Sequence, residues 1–235
     1  MSFQTQVNVY QNPAVAGDWA DKNERAMLTV GEGALLSGAN GVVVGRFAWT
    51  DNSGVVSNGV VNINASTYGF VHRQQQALIT TFLAESGSLI PAGMKMALVR
   101  RGGVWAQFAA GATYKQKVYI NIADGTCVAA ATGAPATNSF TASTTSGSTT
   151  VAVTAVNGGN VLSAGQPISG AGIPAGAYIV SGPVGGGAGN YVISAAANAT
   201  ATGVTVTNTT TFETDFTVAQ TVLAGEIAKI TTWGI

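Results

Sequence analysis

Apolar and polar residues alternate in short runs along most of this chain. In "GSTTVAVTAV", Val151, Val153 and Ala155 fall on one side and Thr150, Ala152 and Thr154 on the other. "YKQKVYINIADG" sets Val118, Ile120 and Ile122 against Lys117, Tyr119 and Asn121, and "AGEIAKI" turns Ala228 and Ile230 inward with Lys229 outward. "GANGVVVGRFAWTD", "GVVSNGVVNINAS", "GAYIVSG", "GNYVISAA" and "GVTVTN" add further β-branched runs bounded by Gly or Asn. A period of two between turn residues predicts strands, and many such runs in succession predict a sandwich or barrel. One stretch has another period. "HRQQQALITTFLAESG" places Leu78 and Phe82, and Ile79 and Leu83, four residues apart, with Gly87 as a C-cap. It predicts one short helix laid over a sheet face or a barrel opening.

The distribution of charge divides this β pattern. Ten basic and ten acidic residues cancel, and only 9% of the chain is charged, against roughly 25% in an average soluble domain. Between Asp124 and Glu213 there is no Asp, Glu, Lys, Arg or His, and no Trp or Met. A disordered linker would not keep the strand rhythm that this segment shows, so it reads as a small β domain. The charged, aromatic-containing stretches on either side resemble each other. We therefore expect a mainly β protein: a β-barrel or sandwich core domain with one short helix, interrupted by an inserted small all-β domain. The core is assigned to residues 1–137 and 208–235, and the insert to 138–207. Insertions of this kind succeed where two chain ends lie close together at a surface.

The balanced charge argues against a nucleic-acid groove, which needs an excess of Lys and Arg. It argues equally against a polybasic membrane anchor. No run of 18 apolar residues predicts a membrane helix, and "MSFQTQVNVY" lacks the order of a signal peptide. The expectation is a protein made in the cytoplasm, with neither nucleic acid nor membrane as partner. Its weakly charged surface favours assembly with other proteins through backbone pairing and apolar patches, with little dependence on salt.

Candidate chemistry is sparse. His72 is the sole histidine and Cys127 the sole cysteine, which excludes a disulfide within the chain and a multi-histidine zinc site. Cys127 lies in the apolar run "DGTCVAAA", the setting of a buried, inert thiol. No G-x-S-x-G elbow is present. The acids Asp18, Asp21, Glu24, Glu32 and Asp51 lie near basic residues and read as solvated surface charge. "GQPISGAGIPAG" has clustered glycines, but Pro174 and the following "YIVSG" deny the helix that a dinucleotide loop needs, and no lysine is near. These glycines read as turn residues. "RRGG" at Arg100 to Gly103 reads as a solvated tight hairpin. No catalytic residue, cofactor or metal is expected.

Two resemblances give this picture a function. "YQNPAVAGDWADKN", the run from "HRQQQALITTFLAESG" through "INIADGTCVA", and "ETDFTVAQTVLAGEIAKITTW" resemble the structural cement proteins of tailed bacteriophages, β-rich proteins that decorate the capsid. The insert resembles a β module recurring in phage virion proteins, through Gly165, Ile168, Ser169, Gly170 and Gly172, then Gly189, Tyr191 and Ser194. The resemblance implies a non-enzymatic virion protein on the outer surface of the capsid, bound to the major capsid protein. It also suggests self-association, as a homotrimer in preference to a dimer. The N-terminal arm, with Pro13, Val15, Asp18, Trp19 and Asp21, is the candidate capsid contact; the competing reading makes it an internal strand. The insert is expected to face outward, where it could contact host-surface glycans weakly, with Phe140, Tyr178 and Tyr191 more readily assigned to its core. The alternatives are a tail or fibre adhesion module that binds host-surface glycans, and an enzyme acting on envelope sugars.

Overall fold

The structure, a computed structural model, describes residues 15–28, 35–60, 62–73 and 88–234. Pro13, Glu32 and the expected helix beyond residue 73 lie outside these. Almost everything described is strand and turn, with a single 3-10 turn at Asn157–Gly159.

Three sheets carry the architecture. The first, in spatial order, runs β1 (Ala26–Leu28), β9 (Leu98–Arg101), β6 (Thr67–Phe70), β4 (Phe47–Thr50), β5 (Val55–Ser57), β2 (Leu35–Ser37) and β8 (Lys95–Met96). Strands β3 (Val42–Val43) and β7 (Leu89–Ile90) pair beside it. The second runs β10 (Gly103–Gln107), β20 (Ile227–Thr231), β19 (Thr211–Val218), β11 (Lys117–Asn121) and β12 (Cys127–Ala130). The third runs β15 (Ile168–Gly170), β18 (Ala201–Thr209), β13 (Thr137–Thr144), β14 (Thr150–Val156), β17 (Gly189–Ile193) and β16 (Ile179–Ser181).

The first sheet is buried on both faces at β4, which shows no wet side. Phe47, Trp49, Phe70 and Val99 point into one core, shared with Val104, Val118, Ile120, Phe216 and Ile230 of the second sheet. Ala48, Val71 and Leu98, their neighbours in sequence, point into another with Leu35, Val42 and Ile90. The period of two thus feeds two cores at once. Edge-to-face contacts of Phe47 with Phe70 and Phe216, at centroid separations of 5.2 and 5.6 Å, fill the sandwich. Each such ring, once buried, stabilises the fold by about 1.5–3 kcal/mol.

The third sheet has a core of its own, with Phe140, Val151, Val153, Ile168, Ile179, Tyr191 and Val206. Its two outer strands meet: Ile168 N–H donates to Ala177 O at 2.9 Å, and Ile179 N–H donates to Gln166 O at 3.0 Å. The sheet is therefore closed on itself. The chain enters and leaves this unit side by side, since Thr210 N–H donates to Ala136 O at 2.9 Å.

Several local expectations need correction. Tyr119 does not share the wet side of β11 with Lys117; it is fully buried. "RRGG" is no hairpin: β9 pairs with β1 and β6, whereas β10 pairs with β20, so the chain crosses from one sheet to the next at Gly102. Among the described residues of "GVVSNGVVNINAS", Val55–Ser57 alone forms a strand. The carboxylate of Asp21 is not solvated; its Oδ2 lies 2.9 Å from Lys229 Nζ. Of the three aromatic residues assigned to the insert, Phe140 and Tyr191 are buried and Tyr178 is half-buried.

Candidate docking surface

No group of three or more His, Cys, Asp or Glu side chains suited to a metal ion occurs among the described residues. Cys127 is buried, and burial pushes its thiol up to about 12, so it stays protonated. His72 is also buried; desolvation, with Arg25 nearby, brings its pKa down to about 4 and keeps it neutral at pH 7. Gly165, Gly172 and Gly176 all take positive φ at turns, as the glycine-rich loop required.

The N-terminal segment is placed from Val15 onward. Residues 17–20 lie antiparallel along β10: Gly17 N–H donates to Trp105 O at 2.8 Å, Trp105 N–H to Asp18 O at 2.9 Å, and Ala20 N–H to Gly103 O at 2.9 Å. The indole of Trp19 fills the space beside Gly102, with the Arg25 guanidinium 4.0 Å from its ring centroid and the His72 ring at 5.1 Å. Asp21 closes the segment through Lys229, and a side chain at Gly103 would collide with its carboxylate. Asp18 Oδ2 accepts from Val15 N–H at 3.2 Å. Trp19 and Asp21 therefore anchor the segment to its own chain, whereas Val15 is 52% exposed.

At the Val15 end of this segment stands a feature the alternation pattern does not reveal. The loop between β19 and β20 pairs with the loop after β10: Val222 N–H donates to Ala112 O at 2.8 Å, and Gly225 N–H donates to Phe108 O at 2.9 Å. Tyr114 N–H donates to Thr221 Oγ1, and Leu223 N–H to Glu226 Oε2 at 2.8 Å. The result is a braced ridge with Leu223 at its crest, 73% exposed, and Tyr114 beside it, 47% exposed. A cleft of about 780 Å³ lies on one side and one of about 800 Å³, walled partly by Val15 and Ala16, on the other. The only signal for it in the sequence is a leucine placed between Thr221 and the turn at Ala224–Gly225.

Residues 3–157 match the phage family described as structural cement protein (E217 gp24/Pam3 gp6), which is more than half of the chain. The chain belongs to this family. No curated protein matches the sequence. Membership makes this cement protein a structural component of the phage capsid. The match ends at Asn157, inside the closed third sheet. Yet β19 and β20, which lie beyond it, complete the second sheet between β10 and β11. The second sheet is thus built from strands on both sides of the third sheet in the chain.

Proposed function

We propose that this protein binds the outside of the assembled capsid at junctions between capsomers and stabilises the shell against the pressure of packaged DNA. The family match carries this reading. A protein that binds the finished lattice and not its separated parts stabilises it by RT ln(1 + [L]/Kd) per site, roughly 2.7 kcal/mol at about 100 Kd. Summed over many copies, a modest affinity per site is enough. A homotrimer at local threefold positions suits such junctions, because each copy meets an equivalent patch; a dimer at twofold positions is the second choice.

Residues 138–207 act as an inserted domain that faces away from the shell. The adjacent hydrogen-bonded residues Ala136 and Thr210 at its root support this division. Its outer wall offers amides and hydroxyls, among them Asn138, Asn157, Asn160 and Thr207, around a shallow cleft of about 400 Å³. Any weak contact with host-surface glycans would be made there. In the arm, Trp19 and Asp21 hold the segment in place, while Pro13, Val15 and Asp18 contact the major capsid protein.

The test uses shells assembled from the major capsid protein of the same phage without cement protein. The purified chain should sediment with these shells, saturate at a fixed ratio and raise the temperature at which DNA-filled particles rupture. Absence of binding, or binding with no gain in particle stability, refutes the proposal.

A further inference from the structure

We infer that the ridge crowned by Leu223, together with Val15, is the surface that seats on the capsid shell. The inference rests on the cement reading and adds to it an orientation and a contact.

Strand β19 provides the axis. It begins at Thr211, next to the root of the third sheet, and ends at Val218, next to the ridge. Its eight residues give seven steps of about 3.3 Å, which separate the two ends by roughly 23 Å. An insertion is tolerated in a docking protein when it grows away from the docked face, so the opposite end of β19 is the end left for the shell. The N-terminal segment points the same way. It runs antiparallel to β10, with Ala20 beside Gly103, and so reaches Val15 near Gln107, where Val15 shares one cleft with Gln220, Thr221, Val222 and Gly225. Val15 and the ridge therefore lie at one end of the fold.

The chemistry of the ridge fits a protein lattice. Leu223 and Val15 are apolar and exposed; Leu223 lines one cleft and Val15 the other. Its backbone is braced from both sides, so little ordering is needed on contact, and a rigid apolar anchor entering a pocket is the usual core of a protein interface. The complementary shell surface has an apolar hollow for Leu223 and projections that enter the flanking clefts.

The experiment compares the full-length protein with Leu223→Glu, Val15→Glu and Val184→Glu on cement-free shells, by co-sedimentation across a range of protein concentration. Val184 lies on a loop of the third sheet and is fully exposed, so it reports on the opposite end. The expected result is at least a tenfold loss of affinity for Leu223→Glu and for Val15→Glu, and less than a twofold change for Val184→Glu. Thermal melts and the mass of the free protein are recorded for each variant; these exposed sites should leave both unchanged. Wild-type binding that survives Leu223→Glu, or that is lost with Val184→Glu, overturns the orientation alone. A variant Leu223→Glu that alters self-association yet occupies shells normally assigns the ridge to a second copy and also overturns it. Failure of the wild type to bind shells removes the cement reading itself.

Discussion

Replacing Tyr119 by Phe tests what holds the third sheet to the rest of the molecule. The Tyr119 hydroxyl accepts from Ala134 N–H at 2.9 Å and lies 2.7 Å from Ala131 O and 2.8 Å from Glu213 Oε2, so its one proton serves either acceptor. Glu213 Oε2 also accepts from Gly133 N–H at 2.8 Å. This cluster ties the segment leading into the third sheet to β19, the strand leading out of it. Phe keeps the packing and removes one charge-assisted donor and one acceptor. Water can reach Glu213 and Ala134 and recover part of the loss, which leaves about 2 kcal/mol. That corresponds to a fall in Tm of about 4–8 °C for a domain of this size. Hydrogen bonds from Tyr119, then from Gly133, hold the Glu213 carboxyl below its ordinary pKa. A carboxylate with a depressed folded pKa contributes stability that is complete above its unfolded pKa and is lost as pH falls through the folded value. The gap between wild type and Tyr119→Phe should therefore be full at pH 7 and narrow below about pH 5. Calorimetry from pH 3 to 8 measures both quantities, and limited proteolysis between residues 131 and 136 should quicken in the variant. A Tm within 1 °C of wild type at pH 7, or a gap that does not shrink in acid, refutes the role given to this cluster.

Three further outcomes follow from the packing. Gly165 has φ +84° and a Cβ there would overlap Val60 O, whereas Gly176 has φ +77° with nothing within 4 Å; Gly165→Ala should cost about 3 kcal/mol and Gly176→Ala about 1 kcal/mol in chemical denaturation, and equal losses would mean that the close approach to Val60 is not structural. Cys127, buried with its thiol raised to about 12, should resist a disulfide-exchange reagent at pH 8 in the native protein and react at once in denaturant; prompt native labelling contradicts its place in the core. A double-mutant cycle on Asp21→Asn and Lys229→Met, a pair with side chains 15% and 30% exposed, should give a coupling of about 1 kcal/mol; zero coupling would leave the arm held by its backbone bonds and Trp19 alone.

How far the sequence speaks depends on whether a residue's fate is decided locally. Val151 and Val153, Val118 and Ile120, and Ala228 and Ile230 all go inward because one side of each strand meets an apolar core whatever the partner strand is. The glycines at 165, 172 and 176 were legible because a turn between two strands needs positive φ. Tyr119 was not, because the alternation rule supposes a wet outer face, and that face is covered by the segment around Ala131 and Ala134. Neither was the break at Gly102, since a hairpin and a crossing between sheets share the same glycine-rich signal and differ only in distant partners. Leu223 is the clearest case on the candidate surface: one leucine in a loop carries no period, and only the pairing of two loops lifts it into solvent.

The absence of charge from residues 125 to 212 can now be tied to the closure of the third sheet. An open sheet needs lysines, prolines or bulges on its outer strands to keep other chains from pairing there. In this unit the outer strands β15 and β16 are joined by hydrogen bonds around Gln166, Ile168, Ala177 and Ile179, so those edges are occupied and need no charged guard. A buried amide pair, Asn208 Nδ2 to Gln166 Oε1 at 2.9 Å, lies at the same seam. Closure thus frees the outer wall to be built largely from Thr, Ser, Asn and Gly, with no charged residue. Opening the seam with Ile168→Pro, which removes the Ile168 amide that donates to Ala177, should expose those edges and make this chargeless unit aggregate. Light scattering on warming reads this directly, and a variant that stays monodisperse while the seam is broken would show that closure is not what keeps this unit apart from its neighbours.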